Sequence, residues 1–226
     1  WGAQVVLAAK PNQGHIHWTQ YVFRLCVSYR NINAVTRPFA FPINRCDDAV
    51  ENVGVAKYFI TLDLDAGYWQ VKMHEKSKDK TAFYTPDGKK HWNVMPMGIL
   101  NAAAFFVCMT GQFKQKWDAL YKRDPGSFID KIKETLKRWA PIIKEIDEND
   151  IIAKICQQTQ GAMQQQDPDS AVIVDDLMLY DSNVISLLAY FMAVLTVLEE
   201  YRVTVNLRKR RFLPARAEFV GIDVLP

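Results

Sequence analysis

Two apolar, strand-like runs far apart in the chain each end in carboxylates, and no other sequence feature constrains the fold as strongly. The first is Lys57-Tyr58-Phe59-Ile60-Thr61-Leu62-Asp63-Leu64-Asp65, and the second is Ala171-Val172-Ile173-Val174-Asp175-Asp176. Short apolar runs rich in β-branched and aromatic residues read as buried strands. Taken alone, Asp-Asp after such a strand more often opens a turn than builds a site. If the strands are neighbours, however, Asp63, Asp175 and Asp176 meet, and like-charge repulsion opposes that unless protons or cations intervene. Mg²⁺ resolves the conflict, because it prefers oxygen ligands and keeps waters and substrate phosphates in its shell. Two such ions about 3.5–4 Å apart form a clamp for in-line phosphoryl displacement.

The surrounding pattern predicts strands at Gln4 to Ala9 and Phe23 to Tyr29, separated by a polar stretch from Lys10 to Thr19. A hairpin is expected at Pro86-Asp87-Gly88, between Lys80–Thr85 and His91–Val94. Asn101 to Phe113 predicts a helix, with Ala and Phe at helical spacing. From Lys114 to Ser170 the texture becomes charged and Gln-rich, with an amphipathic stretch from Phe128 to Trp139 that Pro141 stops. Val184 to Leu198 is apolar for about fifteen residues, short of the ~18 of a membrane span. It follows the capping candidates Asp181, Ser182 and Asn183 and reads as a buried helix. Two short strands, Val203–Leu207 and Glu218–Gly221, are expected near the end.

Charge and cysteines exclude little. Lys and Arg number 28 against 25 Asp and Glu, a net +3 that neither demands nor rules out a polyanionic partner. Cys26, Cys46, Cys108 and Cys156 are scattered, without a C-x-x-C pair, so neither a zinc site nor a disulfide framework is expected, and a reducing compartment suits them. His15-x-His17 reads as loop rather than metal site, and Trp69, Trp92, Trp117 and Trp139 as packing residues. No secretory leader is read at the N-terminus.

In order along the chain, Phe23 to Asn33, Tyr58 to Gln70, Lys80 to Phe83, Met95-Pro96-Met97-Gly98-Ile99-Leu100-Asn101-Ala102, Val172 to Asp176, Asn206 to Phe212 and Phe219-Val220-Gly221 resemble the motifs of retroelement reverse transcriptases. The likeness is greatest to the polymerase of gypsy-type long-terminal-repeat retrotransposons and runs from about Val5 to Val224, interrupted by Lys114 to Ser170. It implies an α+β fold of fingers and a palm, with a mainly antiparallel palm sheet backed by helices. The division expected is 1–55 for fingers, 56–113 for the first part of the palm, 114–170 for a helical insertion and 171–226 for the second part, ending at the primer grip. The activity implied is RNA-directed DNA polymerisation by two metal ions, Mg²⁺ with Mn²⁺ as substitute. The partners implied are an RNA or DNA template, a DNA or RNA primer and deoxynucleoside triphosphates, together with other polyprotein domains and no membrane. The setting implied is cytoplasmic or nuclear, or a retroelement particle.

The resemblance also implies roles. Asp63 and Asp175 would be the principal metal ligands, with Asp176 a less direct carboxylate. Tyr68 would be the aromatic floor whose ring clashes with a ribose 2′-OH. Arg24 would grip the triphosphate, where a planar guanidinium suits phosphate, with Lys10 as a second contact. Met97 and Gly98 would form the nucleotide-facing turn, glycine letting backbone approach the incoming base pair. Lys209 would protonate departing pyrophosphate, or, with Arg208, Arg210 and Arg211, would simply neutralise phosphates. Phe219, Val220 and Gly221 would form the primer grip. Four positions depart from the family pattern: Ser28 where Asp is common, Met97 where an aromatic or amide residue is common, Ile173 where Tyr is common and Ile222 where His is common. None is a proposed metal ligand. Two other readings stay open, an inactive or domesticated palm serving as a protein-binding element and a non-catalytic nucleic-acid-binding module. The start at Trp1 without Met and the close at Pro226, just past the primer-grip motif, suggest a piece of something longer, without a thumb.

Overall fold

The strand Tyr58–Asp63 buries residues on both of its faces, Phe59 on one and Ile60 and Leu62 on the other, so both faces of the central sheet must be covered. The structure, a computed structural model, describes residues 2–9, 23–41, 53, 56–132, 134, 168–206, 208–214, 217–219 and 222–224. Lys10, the His15/His17 stretch, Trp139, the Gln-rich run, Val220 and Gly221 lie outside these residues. In chain order the elements are β1 (Val5–Ala9), β2 (Phe23–Val27), α1 (Arg30–Val35), β3 (Tyr58–Asp63), a 3₁₀ turn (Gly67–Gln70), α2 (Glu75–Lys78), a second 3₁₀ turn (Asp79–Thr81), β4 (Phe83–Thr85), β5 (Gly88–Lys90), α3 (Ala102–Arg123), β6 (Asp169–Ile173), β7 (Asp176–Asp181), α4 (Val184–Glu200), β8 (Arg211–Phe212), β9 (Ala217–Phe219) and β10 (Ile222–Val224). Two compact units result, Trp1–Pro42 with Ala66–Phe106, and Ile43–Asp65 with Val107–Pro226.

In the first unit β1 and β2 pair antiparallel, Val5 opposite Val27 and Ala9 opposite Phe23. Val27, Tyr29 and Phe83 form the core, with Ala3, Val5, Ile32, Trp92 and Ile99 packed around them. Thr81, itself buried, is the polar pin of this core. Its hydroxyl donates to the Lys78 carbonyl (2.6 Å) and accepts from the Trp92 amide (2.9 Å), while its carbonyl accepts from Tyr29 Oη (3.2 Å). The expected hairpin at Pro86-Asp87-Gly88 is present, with Thr85 opposite Gly88 at φ +110. Its second strand is Gly88–Lys90 rather than His91–Val94, because the short turn fixes pairing at once and Trp92 is held by Thr81 instead.

The second unit is built on a four-stranded antiparallel sheet in the order β6-β7-β3-β8. β3 and β7 run side by side from Tyr58 opposite Asp181 to Asp63 opposite Asp176. One face buries Phe59, Met178, Tyr180, Ala171 and Ile173 with Val53, Ala56 and Phe219. Ile60, Leu62, Leu177 and Leu179 alternate onto the other face, where α4 packs against β7 and β3. α4 is apolar almost all round, as expected of a helix buried on several sides, and Asn183 caps it by accepting from the amides of Ile185 (2.8 Å) and Ser186 (3.3 Å). Among the described residues no helix is long and apolar enough to cross a membrane.

Three expected boundaries differ. Ala171–Asp176 is not one strand beside β3: β6 ends at Ile173, Val174 and Asp175 turn the chain, and Asp176 opens β7, whose buried run Leu177–Tyr180 lacks the polar alternation that would have announced it. The helix does not stop at Phe113 but continues as α3 to Arg123, since Phe113, Trp117 and Tyr121 recur at helical spacing and are all buried. Its charged residues are also anchored: Lys114 pairs with Asp118 (2.8 Å) and Asp169 (2.6 Å), and Trp117 Nε1 donates to Tyr190 Oη (3.0 Å). Of the expected strand Val203–Leu207, Leu207 lies outside the described residues, and 203–206 form not a strand but a single bridge, Val205 opposite Leu64. Arg202 at φ +55 precedes it, and the turn at Asn206 follows it.

Candidate active site

The β3–β7 register sets the site. Directly opposite residues of an antiparallel pair project from the same face with Cβ atoms about 4.5–5.5 Å apart, so the Asp63 and Asp176 side chains emerge together. Asp175 occupies the two-residue connection between β6 and β7, and its carbonyl accepts from the Leu64 amide (3.0 Å). Before it, Val174 takes φ +56. A β-branched residue is strained in that left-handed region, by about 1–3 kcal/mol, and such strain gathers at functional sites.

A basic turn closes over the carboxylates. The Asn206 amide donates to the Asp63 carbonyl (2.8 Å), the Lys209 amide to the Asn206 carbonyl (3.2 Å) and the Arg208 amide to Asn206 Oδ1 (3.1 Å). These backbone ties bring Lys209 Nζ to 2.7 Å from Asp63 Oδ2, although 146 positions separate the two residues. The Asp63 hydrogen bond is the main reason the Lys209 ammonium is held above the usual lysine range, and the Asp175 and Asp176 charges add to it. Burial, then the Asp175 and Asp63 charges, push the Asp176 carboxyl above its usual range, while Lys209 pulls it back. Thr61, Leu62, Leu177, Phe219 and the arginines 208, 210 and 211 complete the lining of a cleft of about 580 Å³ around Asp63, Asp176 and Lys209. An acidic floor under a basic wall suits a substrate that carries phosphates and arrives with cations.

Among the described residues no three His, Cys, Asp or Glu stand as a ready-made metal cage. The donor set is nonetheless the kind a hard cation takes: oxygen only, two facing carboxylates, and a neighbouring ammonium that answers their demand for positive charge. Mg²⁺ is commonly held by one or two carboxylates together with waters and substrate phosphates. Asp63 and Asp176, with Asp175 beside them, fit that pattern.

The other sequence-predicted residues lie in the first unit or at the end of the second. Tyr68 is half-buried in the 3₁₀ turn, its ring 5.2 Å from that of Phe106. Met97 is 54% exposed. Gly98 adopts φ +91, and an added Cβ would meet nothing nearer than 3.7 Å, so backbone conformation rather than crowding is what requires glycine there. Arg24 is in β2 opposite Ala8. Phe219 is buried and lines the cleft, and β9 pairs with β10, Phe219 opposite Ile222.

Three residues were missed from sequence. Asn33 clamps the Met97–Gly98 turn, its Nδ2 donating to the Gly98 carbonyl (2.9 Å) and its Oδ1 accepting from the Leu100 amide (3.0 Å). Asn101 does the same one step on, accepting from the Phe39 amide (2.9 Å) and donating to the Arg37 carbonyl (3.0 Å). Asn206 shapes the turn that carries Lys209. The amide of Asn both donates and accepts, which is what such clamps require. Trp69, expected to pack, is 45% exposed and stacks on Trp92 at 5.8 Å.

The chain is similar to known proteins in both sequence and fold. Residues 17–224 match the family model described as reverse transcriptase (RNA-dependent DNA polymerase). The chain is 28% identical over 202 residues to the retrovirus-related Pol polyprotein from transposon opus of Drosophila melanogaster, covering 89% of this chain and 15% of the polyprotein. An RNA-directed DNA polymerase homolog of Oenothera berteroana is 40% identical over 83 residues, which is 37% of this chain and 58% of that protein. A foamy viral protease-reverse transcriptase solved in complex with RNA/DNA hybrid superposes with a TM-score of 0.67 at 19% identity, over 99% of this chain and 22% of that one. Paired carboxylates at the head of an antiparallel sheet, a lysine turn closing on them and a family match over nearly the whole length make one conclusion: this chain belongs to the reverse transcriptase family.

Proposed function

We propose that this chain is the fingers-and-palm core of a gypsy-type retrotransposon polyprotein and performs template-directed DNA synthesis. The single observation that carries the reading is the facing pair Asp63 and Asp176 beneath Lys209, in a chain of this family. Reverse transcriptases generally use divalent metal ions. Asp63, Asp175 and Asp176 would hold two Mg²⁺, or Mn²⁺ in their place, and such ions supply activation of the primer 3′-OH and neutralisation of triphosphate charge.

The chain's own residues do the rest. Arg24, joined by Lys10, grips the triphosphate of the incoming deoxynucleotide. The Tyr68 ring, fixed against Phe106, excludes a 2′-OH by bulk. Met97 and Gly98, held by Asn33, face the nascent base pair. Lys209 delivers a proton to the departing pyrophosphate, and Arg208, Arg210 and Arg211 offset the charge of the phosphates in the cleft. Phe219, Val220 and Gly221 support the primer terminus. An RNA or DNA template and a primer are the partners, and the setting is intracellular, in cytoplasm, nucleus or a retroelement particle.

Primer extension on a defined RNA template tests this. Incorporation that depends on Mg²⁺ and disappears in Asp175→Asn is expected. Equal background incorporation by the folded wild type and the variant would instead mean a domesticated scaffold or a non-catalytic nucleic-acid-binding module.

A further inference from the structure

The contact between Lys209 and Asp63 has more to it than leaving-group chemistry, for which a lysine should face phosphate and not a metal ligand. Lys209 Nζ is on Asp63 Oδ2 at 2.7 Å, with the lysine side chain 64% exposed and the aspartate 16%. The turn that carries Lys209 is already fixed by the three backbone-directed bonds of Asn206 and its neighbours, so the ion pair is not needed to position it. An exposed ammonium also loses rotamer freedom by settling on one oxygen, and exposed ion pairs repay this only weakly. What favours the contact here is the company of three carboxylates: Asp63 and Asp176 face each other, with Asp175 next in line.

We infer that Lys209 is a displaceable internal counter-ion, occupying the metal-binding oxygen of Asp63 until a divalent cation expels it. This rests on the proposed metal-binding role of Asp63. A cation arriving with a triphosphate competes with the ammonium for the same oxygen. The displaced ammonium, still tethered by the Asn206 turn, stays in the cleft where phosphate will depart. Loading of the site and release of the lysine are then one event, so a site without metal keeps Lys209 away from phosphate.

The test is metal affinity, read without turnover. Mn²⁺ binding to the purified protein is followed by loss of the free-ion electron paramagnetic resonance signal, at low ionic strength and without nucleotide, for wild type, Lys209→Met, Lys209→Arg and Asp176→Asn. Circular dichroism checks that each variant is folded. Lys209→Met is expected to bind Mn²⁺ about two- to tenfold more tightly than wild type, the range expected of an exposed to charge-assisted ion pair, with Lys209→Arg close to wild type. Asp176→Asn is expected to weaken binding. Unchanged or weaker affinity in Lys209→Met, with Asp176→Asn still weakened, would overturn the counter-ion role and leave the metal site standing. Absence of saturable binding in wild type and Lys209→Met alike would overturn both.

Discussion

Asp63, the last residue of β3, is directly opposite Asp176, the first residue of β7, so two carboxylates share one face at the head of the central sheet. Two anions placed this close by strand register are costly to a protein that does not use them. Neutralising either one therefore separates a catalytic role from a structural one. In Asp176→Asn, primer extension should fall at least about a hundredfold while the folded spectrum is unchanged, as measured by single-turnover incorporation beside circular dichroism. A variant that polymerises at the wild-type rate would remove Asp176 from the reaction.

Asn33 acts on the Met97–Gly98 turn through two hydrogen bonds that no other described side chain supplies. Asn33→Ala should lower stability by about 1–2 kcal/mol, the usual net worth of such a pair of bonds. It should also raise the KM for the incoming nucleotide and leave Mn²⁺ affinity alone. Denaturant titration, nucleotide titration and metal titration read these separately.

Tyr68 is braced by Phe106 and so presents its ring in a fixed place. Tyr68→Val should lower the preference for deoxynucleotides over ribonucleotides by at least about tenfold, whereas Tyr68→Phe, which keeps the ring, should preserve it. Competition between the two nucleotide types at a single template position measures the ratio. Unchanged discrimination in Tyr68→Val would assign the gate elsewhere.

Tyr29 supplies an alkaline signature of the first unit. Burial pushes its phenol from 10.0 up to about 12, against a smaller opposing interaction with Trp92. A raised folded-state value means the fold prefers the neutral phenol. Its contribution is intact below pH 10 and is lost as pH rises from 10 towards about 12. Tyr29→Phe should therefore show a shallower fall in urea midpoint across that window than wild type. Parallel slopes would show that the phenol is not the group concerned.

β3 was legible because strands announce themselves locally: Phe59, Ile60 and Leu62 are apolar, and Asp63 interrupts them. β7 was not: Ala171–Asp176 reads as one strand, whereas β6 ends at Ile173, Val174 and Asp175 turn the chain, and Asp176 opens the strand that pairs with β3. Register was not legible, because it depends on which residues of β7 meet which of β3, and Leu177 to Tyr180 are buried on both faces without an alternating polar pattern. The length of α3 was hidden by composition. Lys114 and Asp118 look solvated in sequence, yet Asp169, distant along the chain, joins them, and Trp117 beside them is buried. Asn33, Asn101 and Asn206 escaped notice for a related reason. An Asn in a polar stretch usually marks a turn, and only the fold reveals which long-range carbonyl or amide it reaches. Lys209 was legible as a basic residue near phosphate, but its partner Asp63 was not, since nothing local links two positions so far apart.

Val174 and its left-handed backbone hold a last consequence. The β6–β7 hairpin turns in two residues, and β7 then runs straight into buried Leu177, Met178, Leu179 and Tyr180. One residue added or removed at the Val174–Asp175 turn would exchange the two faces of β7, sending Asp176 to the face that α4 covers and taking Met178 out of the core it shares with Phe59. The site therefore tolerates no gradual drift in this segment. Descendants of this sequence can alter side chains here one at a time, but its length is heritable only unchanged.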